Sequence, residues 1–141
     1  SKTNLFSNFI LSDNQEGSSN NGFGINYGYD GMPIKKYIEY STLGFSIDSM
    51  IKTNLIKEIP TMIKIDVDGI EYLILEGAVE TLGKNECKTV YIEVNDNRNI
   101  ESNKINQILT DCGFILKNKF SVNMIEQTAY VGLNNQIWVK N

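Results

Sequence analysis

Met62-Ile63-Lys64-Ile65-Asp66-Val67-Asp68-Gly69-Ile70-Glu71-Tyr72-Leu73-Ile74-Leu75-Glu76-Gly77-Ala78 is the stretch that decides the fold. Its first part is a β-type run, apolar at Met62, Ile63, Ile65 and Val67, and it ends in two carboxylates, Asp66 and Asp68. Gly69 then turns the chain into a predicted helix whose first turn carries a third acid, Glu71. In open α/β sheets ligands sit outside the carboxyl ends of the strands. Acids placed there are ill suited to packing and well suited to chemistry. Ile70, Leu73, Ile74, Ala78 and Leu82 recur at helical spacing, and Gly83 is a natural stop.

Downstream, Thr89 to Val94 is a β-branched strand that runs into Asn95-Asp96-Asn97. Ile105, Ile108, Leu109 and Cys112 fall at i, i+3, i+4 and i+7, an amphipathic helix closed by Gly113. Phe114 to Leu116 begins another strand. Ala129 to Leu133 and Gln136 to Val139 are expected to form a final hairpin around Asn134-Asn135, because Asn tolerates left-handed turn positions. Strands alternating with helices through residues 61 to 120 imply an α/β parallel sheet with helical crossovers.

Upstream, Leu5 to Leu11 reads as a strand that exits into the turn-rich residues 12–17. Residues 17–31 hold Gly17, Gly22, Gly24, Gly28 and Gly31, interleaved with Phe23, Ile25, Tyr27 and Tyr29, as a loose hairpin or a surface loop. Met32 to Tyr40 is expected to be mobile. Leu43 to Ile47 is expected to be a strand, and Ser46 or Asp48 caps a helix through about Lys57 with Ile51 and Leu55 inward. Pro60 ends that connection before the strand at 62–67.

Composition narrows the function classes. A net charge of −4 with only one basic pair, Lys35–Lys36, argues against nucleic acid, whose phosphates need clustered Lys and Arg. Apolar runs of a few residues fall far short of the ~20 that span a bilayer. No charged-then-apolar leader opens the chain, so no secretory signal is expected and a cytoplasmic location is. Cys87 and Cys112 fit no metal-ligand spacing and read as free, half-buried thiols in a reducing compartment. The chain has no histidine, so acid–base work falls to carboxylates, Lys or Tyr.

The 62–78 stretch resembles the signature of the FkbM-type methyltransferases, which take their methyl group from S-adenosylmethionine. In that family Lys-Ile-Asp-Val-(Asp/Glu)-Gly-X-Glu ends a central strand and Leu-X-Gly-Ala follows on the helix. Lys64 to Glu71 and Leu75 to Ala78 match position by position. Two further landmarks stand in order, Ile-Leu-Ser-Asp at 10–13 and Phe-Ser-Ile-Asp-Ser-Met-Ile at 45–51. The resemblance covers roughly residues 5 to 117. It implies a partial Rossmann-like class I methyltransferase sheet with a C-terminal antiparallel hairpin, in a single, incomplete domain over residues 1–141. Family members also carry a strand with a glycine-rich turn (Asp-X-Gly-Ala-Asn-X-Gly) that cradles the donor, and a second strand ending in a ribose-binding acid. Neither is found in these 141 residues.

The implied activity is O-methylation of a sugar or another small hydroxylated metabolite, with S-adenosylmethionine as cofactor. Asp66 would face donor and acceptor, while Asp68 and Glu71 would orient the acceptor or serve as base. Helix capping is the competing role for Asp68 and Glu71. Ser12 and Asp13 fall where the resemblance places the adenine end of the donor; a turn is the competing role for Asp13. Tyr27, Tyr29, Tyr37 and Tyr40 line an acceptor pocket if their loop folds over the site. Two alternatives stand beside the enzyme. One is a degenerate module acting in binding or assembly. The other is a metal-assisted enzyme with Asp66, Glu93 and Asn95 as oxygen donors. A strand at 62–67 left without its family neighbours is expected to draw the 5–11 or 43–47 strand alongside, or to self-associate through its edge.

Overall fold

The computed structural model describes residues 1–16, 21–121 and 132–141. Among the described residues there are seven strands, which form two sheets, and four helices. The larger is mixed. Strand β4 (Met62–Ile65) runs parallel to β5 (Thr89–Asn95), and β5 pairs antiparallel with β7 (Leu133–Val139). In turn β7 pairs antiparallel with β6 (Ile115–Ser121), so β6 runs in the direction of β4 and β5. The spatial order is β4-β5-β7-β6.

One face of this sheet carries the core. Ile63, Ile65, Val90, Ile92, Val94 and Trp138 point into it. They meet Leu75 from α2 (Glu71–Glu76), Leu82 from α3 (Val79–Gly83), and Ile105 and Leu109 from α4 (Asn99–Asp111). Burying a Leu or Ile contributes about 1.5–3 kcal/mol, so this apolar layer is the main source of stability. Gly113 has φ +84°, a conformation that favours glycine, and it ends the α4 segment as its position predicts.

The first part of the chain departs from the expected parallel sheet. β1 (Leu5–Leu11), β2 (Gly22–Phe23) and β3 (Ile38–Gly44) make a separate antiparallel sheet ordered β2-β1-β3. Strand β1 lies where its sequence puts it. Strand β3 begins five residues before the expected Leu43 and includes Ile38 to Tyr40, which pair in full register with β1. Backbone pairing, which composition does not reveal, orders that stretch. Neither β1 nor the segment at 43–47 moves beside β4.

The helices are shorter than their periodicity suggests. Ser46 caps α1 (Ile47–Lys52) by accepting from the Ser49 amide at 3.2 Å. Asn54, at φ 62°, reverses the chain, and Leu55 ends up exposed rather than inward. Asp48 caps a different helix: its carboxylate accepts from the amides of Glu80 and Thr81 at 3.0 and 2.8 Å, at the start of α3. The expected single helix after Gly69 breaks at Gly77. A Cβ there would lie 2.2 Å from the Ser1 carbonyl oxygen, so the N-terminal segment crosses where only glycine leaves room.

The expected hairpin at Asn134-Asn135 is corrected too. Both residues lie inside β7, while Ala129 to Val131 lie outside the described residues. The Asn134 amide donates to the carbonyls of Val94 (3.0 Å) and Gly132 (3.1 Å). Gln136 donates to Asn134 at 2.9 Å and Trp138 to Gln136 at 2.9 Å, a buried polar ladder along one face of the strand. The left-handed position falls instead on Gly132, φ 95°. Cys87 and Cys112 are free; Cys87 is wholly buried rather than half-buried.

Candidate active site

The acids of the 62–78 stretch gather at the carboxyl end of β4, next to that of β5. Strand β4 stops at Ile65, and the chain then turns sharply, with the Gly69 amide donating to the Val67 carbonyl at 3.0 Å. Gly69 has φ +99°, and a Cβ on it would come within 2.6 Å of Arg98 Nη1 and 3.1 Å of the Gly28 carbonyl oxygen. Conformation and close approach both require glycine here.

Glu71 is the most perturbed acid. It is 9% exposed, and its Oε1 accepts from the Gly69 amide at 3.3 Å. Burial pushes its carboxyl up to about 7, with Glu93 across the sheet adding repulsion and backbone N–H groups pulling the other way. Glu93, on β5, is also pushed up, first by burial and then by Asp66 and Asp68. With Tyr29, Asn95, Arg98 and Glu101, these two glutamates line a cavity of about 20 Å³, room for one water molecule.

Asp68 does not cap α2. The N-cap is Ile70, which makes no side-chain capping bond. Asp68 Oδ2 instead accepts from the Asn21 amide at 2.9 Å, and the Asn21 side chain accepts from the Ser12 amide at 3.1 Å. A hydrogen-bonded chain thus links the end of β1 to the acids beyond β4. Asp13 makes a local turn, its Oδ1 accepting from the Gln15 amide at 2.8 Å. Asp66 does not line the Glu71 cavity, although its charge acts on Glu93. It pairs with Lys64 at 2.8 Å, is about half exposed, and lines a separate open groove of ≈ 310 Å³ beside the free edge of β4.

The glycine-rich segment folds over this end of the sheet. Asn95 Nδ2 donates to the Tyr29 carbonyl at 3.0 Å, and Arg98 Nη1 donates to the Gly28 carbonyl at 3.2 Å. Arg98 also pairs with Glu101 at 2.6 Å and rests over the Tyr27 ring, 4.7 Å from its centroid. Tyr29 lines the cavity and Tyr27 lies against Arg98, which also lines it; Tyr40 on β3 and Tyr37 just before it stay exposed. Arg98, Glu101 and Asn21 complete the site without standing out in the sequence. The one available signal is that Arg98 is the sole arginine and stands three residues beyond the end of β5.

Two ligand types can be tested against this geometry. A donor cradle needs backbone N–H groups aimed outward at the ligand. Here the described glycine amides are already spent within the chain: Gly24 donates to Asn8 of β1, and Gly28 to Met32 and Gly31 to Gly28 inside the loop, each at 2.9 Å. The described residues therefore do not fit the methionine end of S-adenosylmethionine. Among the described residues no group of three or more Cys, Asp or Glu side chains is arranged to hold a metal ion. The Asn95 side-chain oxygen, one of the expected metal donors, accepts from the Asn97 amide at 3.0 Å.

A mixed α/β fold with parallel strands and acids at their carboxyl ends fits a methyltransferase-like domain. A family model, the methyltransferase FkbM domain, matches residues 4–116, and the chain belongs to that family. The match runs from the start of β1 into β6. No curated protein and no solved structure gives a significant match. Among the described residues no helix is long and apolar enough to cross a membrane.

Proposed function

We propose that this chain carries the acceptor side of an S-adenosylmethionine-dependent O-methyltransferase acting on a sugar or another small hydroxylated metabolite. The observation that carries the reading is Glu71, a buried carboxyl titrating at about 7 at the carboxyl end of a parallel strand. A general base works best with a pKa near the operating pH. Deprotonated, Glu71 accepts the acceptor's hydroxyl proton through the one water its cavity has room for, and Asp66 and Asp68 orient the acceptor from outside that cavity. Ser12 and Asp13 are the residues for the donor's adenine end, and Ser12 is tied to Asp68 through Asn21. The four-stranded sheet is read as the latter part of a Rossmann-like class I sheet in a single, incomplete domain, and a cytoplasmic setting suits a small-metabolite acceptor. The donor's cradle then comes from residues outside those described here.

The glycine amides already spent within the chain favour one other reading, a family member that kept the sheet and acts in binding or assembly. Transfer of labelled methyl groups from S-adenosylmethionine to a panel of hydroxylated acceptors, using the full natural protein, separates the two. Turnover should rise through a pH near 7, and Glu71→Gln should abolish that limb and lower turnover by ~10²-fold or more. Asp66→Asn should lower it by ~10²-fold if Asp66 orients the acceptor. No transfer to any acceptor favours the assembly module, and unchanged turnover in Asp66→Asn removes that residue from the site.

A further inference from the structure

Arg98 reaches from the N-cap of α4 across Gly69 to the glycine-rich loop, with only 14% of its side chain exposed. Its stem is fixed by its own amide, which donates to the Asn95 carbonyl at 3.0 Å. Its guanidinium then bonds Glu101 with one nitrogen and the Gly28 carbonyl with the other, while its face rests on Tyr27. Only a planar fork makes these three contacts at once; a lysine ammonium does not. The loop it grips is tied internally as well. Ile34 donates to Asn26 and Gly28 to Met32, both at 2.9 Å, and Tyr27 bridges to Pro33. The cavity holding Glu71 and Glu93 lies beneath Tyr29 of this loop.

We propose that Arg98 is the positioning residue of this site: it latches the 21–34 loop over the Glu71–Glu93 cavity and keeps bulk water out of it. The proposal deepens the reading of Glu71 as base by naming what keeps it dry, and it is tested without turnover, so the two can fail separately. The charged and titratable groups facing the cavity are Glu71 itself, Glu93 on β5, Arg98 at the N-cap of α4, Glu101 on α4, and Tyr29 on the loop; Asp66 and Asp68 lie outside its lining but act on Glu93 through their charge. Removing Arg98 has two opposed effects on Glu71. Loss of a nearby cation raises a carboxyl pKa, whereas admission of water lowers one that burial had raised. The direction of the change therefore distinguishes a latch from a mere charge.

The experiment follows the Glu71 carboxyl by ¹³C NMR titration, with amide hydrogen exchange on the same samples of Arg98→Ala and Arg98→Lys. In both variants the Glu71 midpoint should fall by about one unit or more toward the ordinary carboxylate range. The amides of Gly28 and Gly31 should exchange roughly tenfold faster or more, while those of Ile92 and Leu109 in the core stay as protected as in the parent protein. Should Arg98→Ala lose core protection as well, Arg98→Lys, which keeps the charge, decides. A Glu71 midpoint that rises or stays put, with the Gly28 and Gly31 amides still protected, overturns the latch.

Discussion

Glu71 shows how one buried carboxyl ties stability to pH. Its folded-state pKa of about 7 lies above the 4.5 of a free glutamate, so the folded state holds its proton over a range where the unfolded chain has lost it. The fold is therefore most stable with respect to this group below about pH 4.5, and it loses that advantage as pH rises through 7. The loss comes to ~3 kcal/mol at most, and the upward shift of Glu93 acts in the same direction. Thermal melts should show the protein less stable at pH 8 than at pH 5.5, and Glu71→Gln should flatten that difference; an unaltered pH dependence in the variant would mean that Glu71 is not buried as described. The acids themselves were legible in the sequence, because carboxylates at a strand's end are out of place in a core. Their individual roles were not. Whether Asp68 caps α2 or receives the Asn21 amide depends on a loop forty-seven residues away in sequence, and no local pattern reveals that contact.

At the scale of elements, periodicity located β1, β5 and α4, whose signals come from their own residues. It misread the segments that distant chain shapes. The helix after Gly69 splits because the N-terminal segment passes Gly77, and Asn134-Asn135 lies in a strand because its side chains find partners across β5 and along β7. The ladder Asn134–Gln136–Trp138 is buried, so breaking its middle leaves two polar groups without partners. Gln136→Ala should cost about 1–3 kcal/mol in denaturant unfolding, and a cost near zero would mean that water replaces the lost bonds. Strand β4 pairs only with β5 among the described residues, and Met62 on its outer face is 62% exposed. A parallel strand open along one edge invites another chain. Light scattering on the 141-residue chain should give a mass that grows with concentration, with the amides of Ile63 and Ile65 gaining protection as it does; a monomer at all concentrations in which those amides exchange freely would contradict edge pairing.

At the scale of the whole molecule, the two sheets divide the work. The mixed sheet holds the core and presents Glu71 and Glu93 at its carboxyl end, and the small antiparallel sheet supplies the loop that Arg98 and Asn95 draw over them. The family was legible because its signature is a contiguous run that encodes a strand end, a glycine turn and a helix start. The antiparallel arrangement of the first third was not, since its order comes from β1–β3 pairing across residues of unremarkable composition. The proposed function gives these residues the acceptor side of a methyltransferase and not the donor's cradle, since the described glycine amides that would form one already donate to Asn8, Met32 and Gly28. Calorimetric titration of S-adenosylmethionine into the 141-residue chain tests this most directly. The account predicts no saturable heat up to roughly millimolar donor, equivalent to less than about 4 kcal/mol of binding free energy. Saturation at micromolar donor would contradict it and place the donor site among the residues described here.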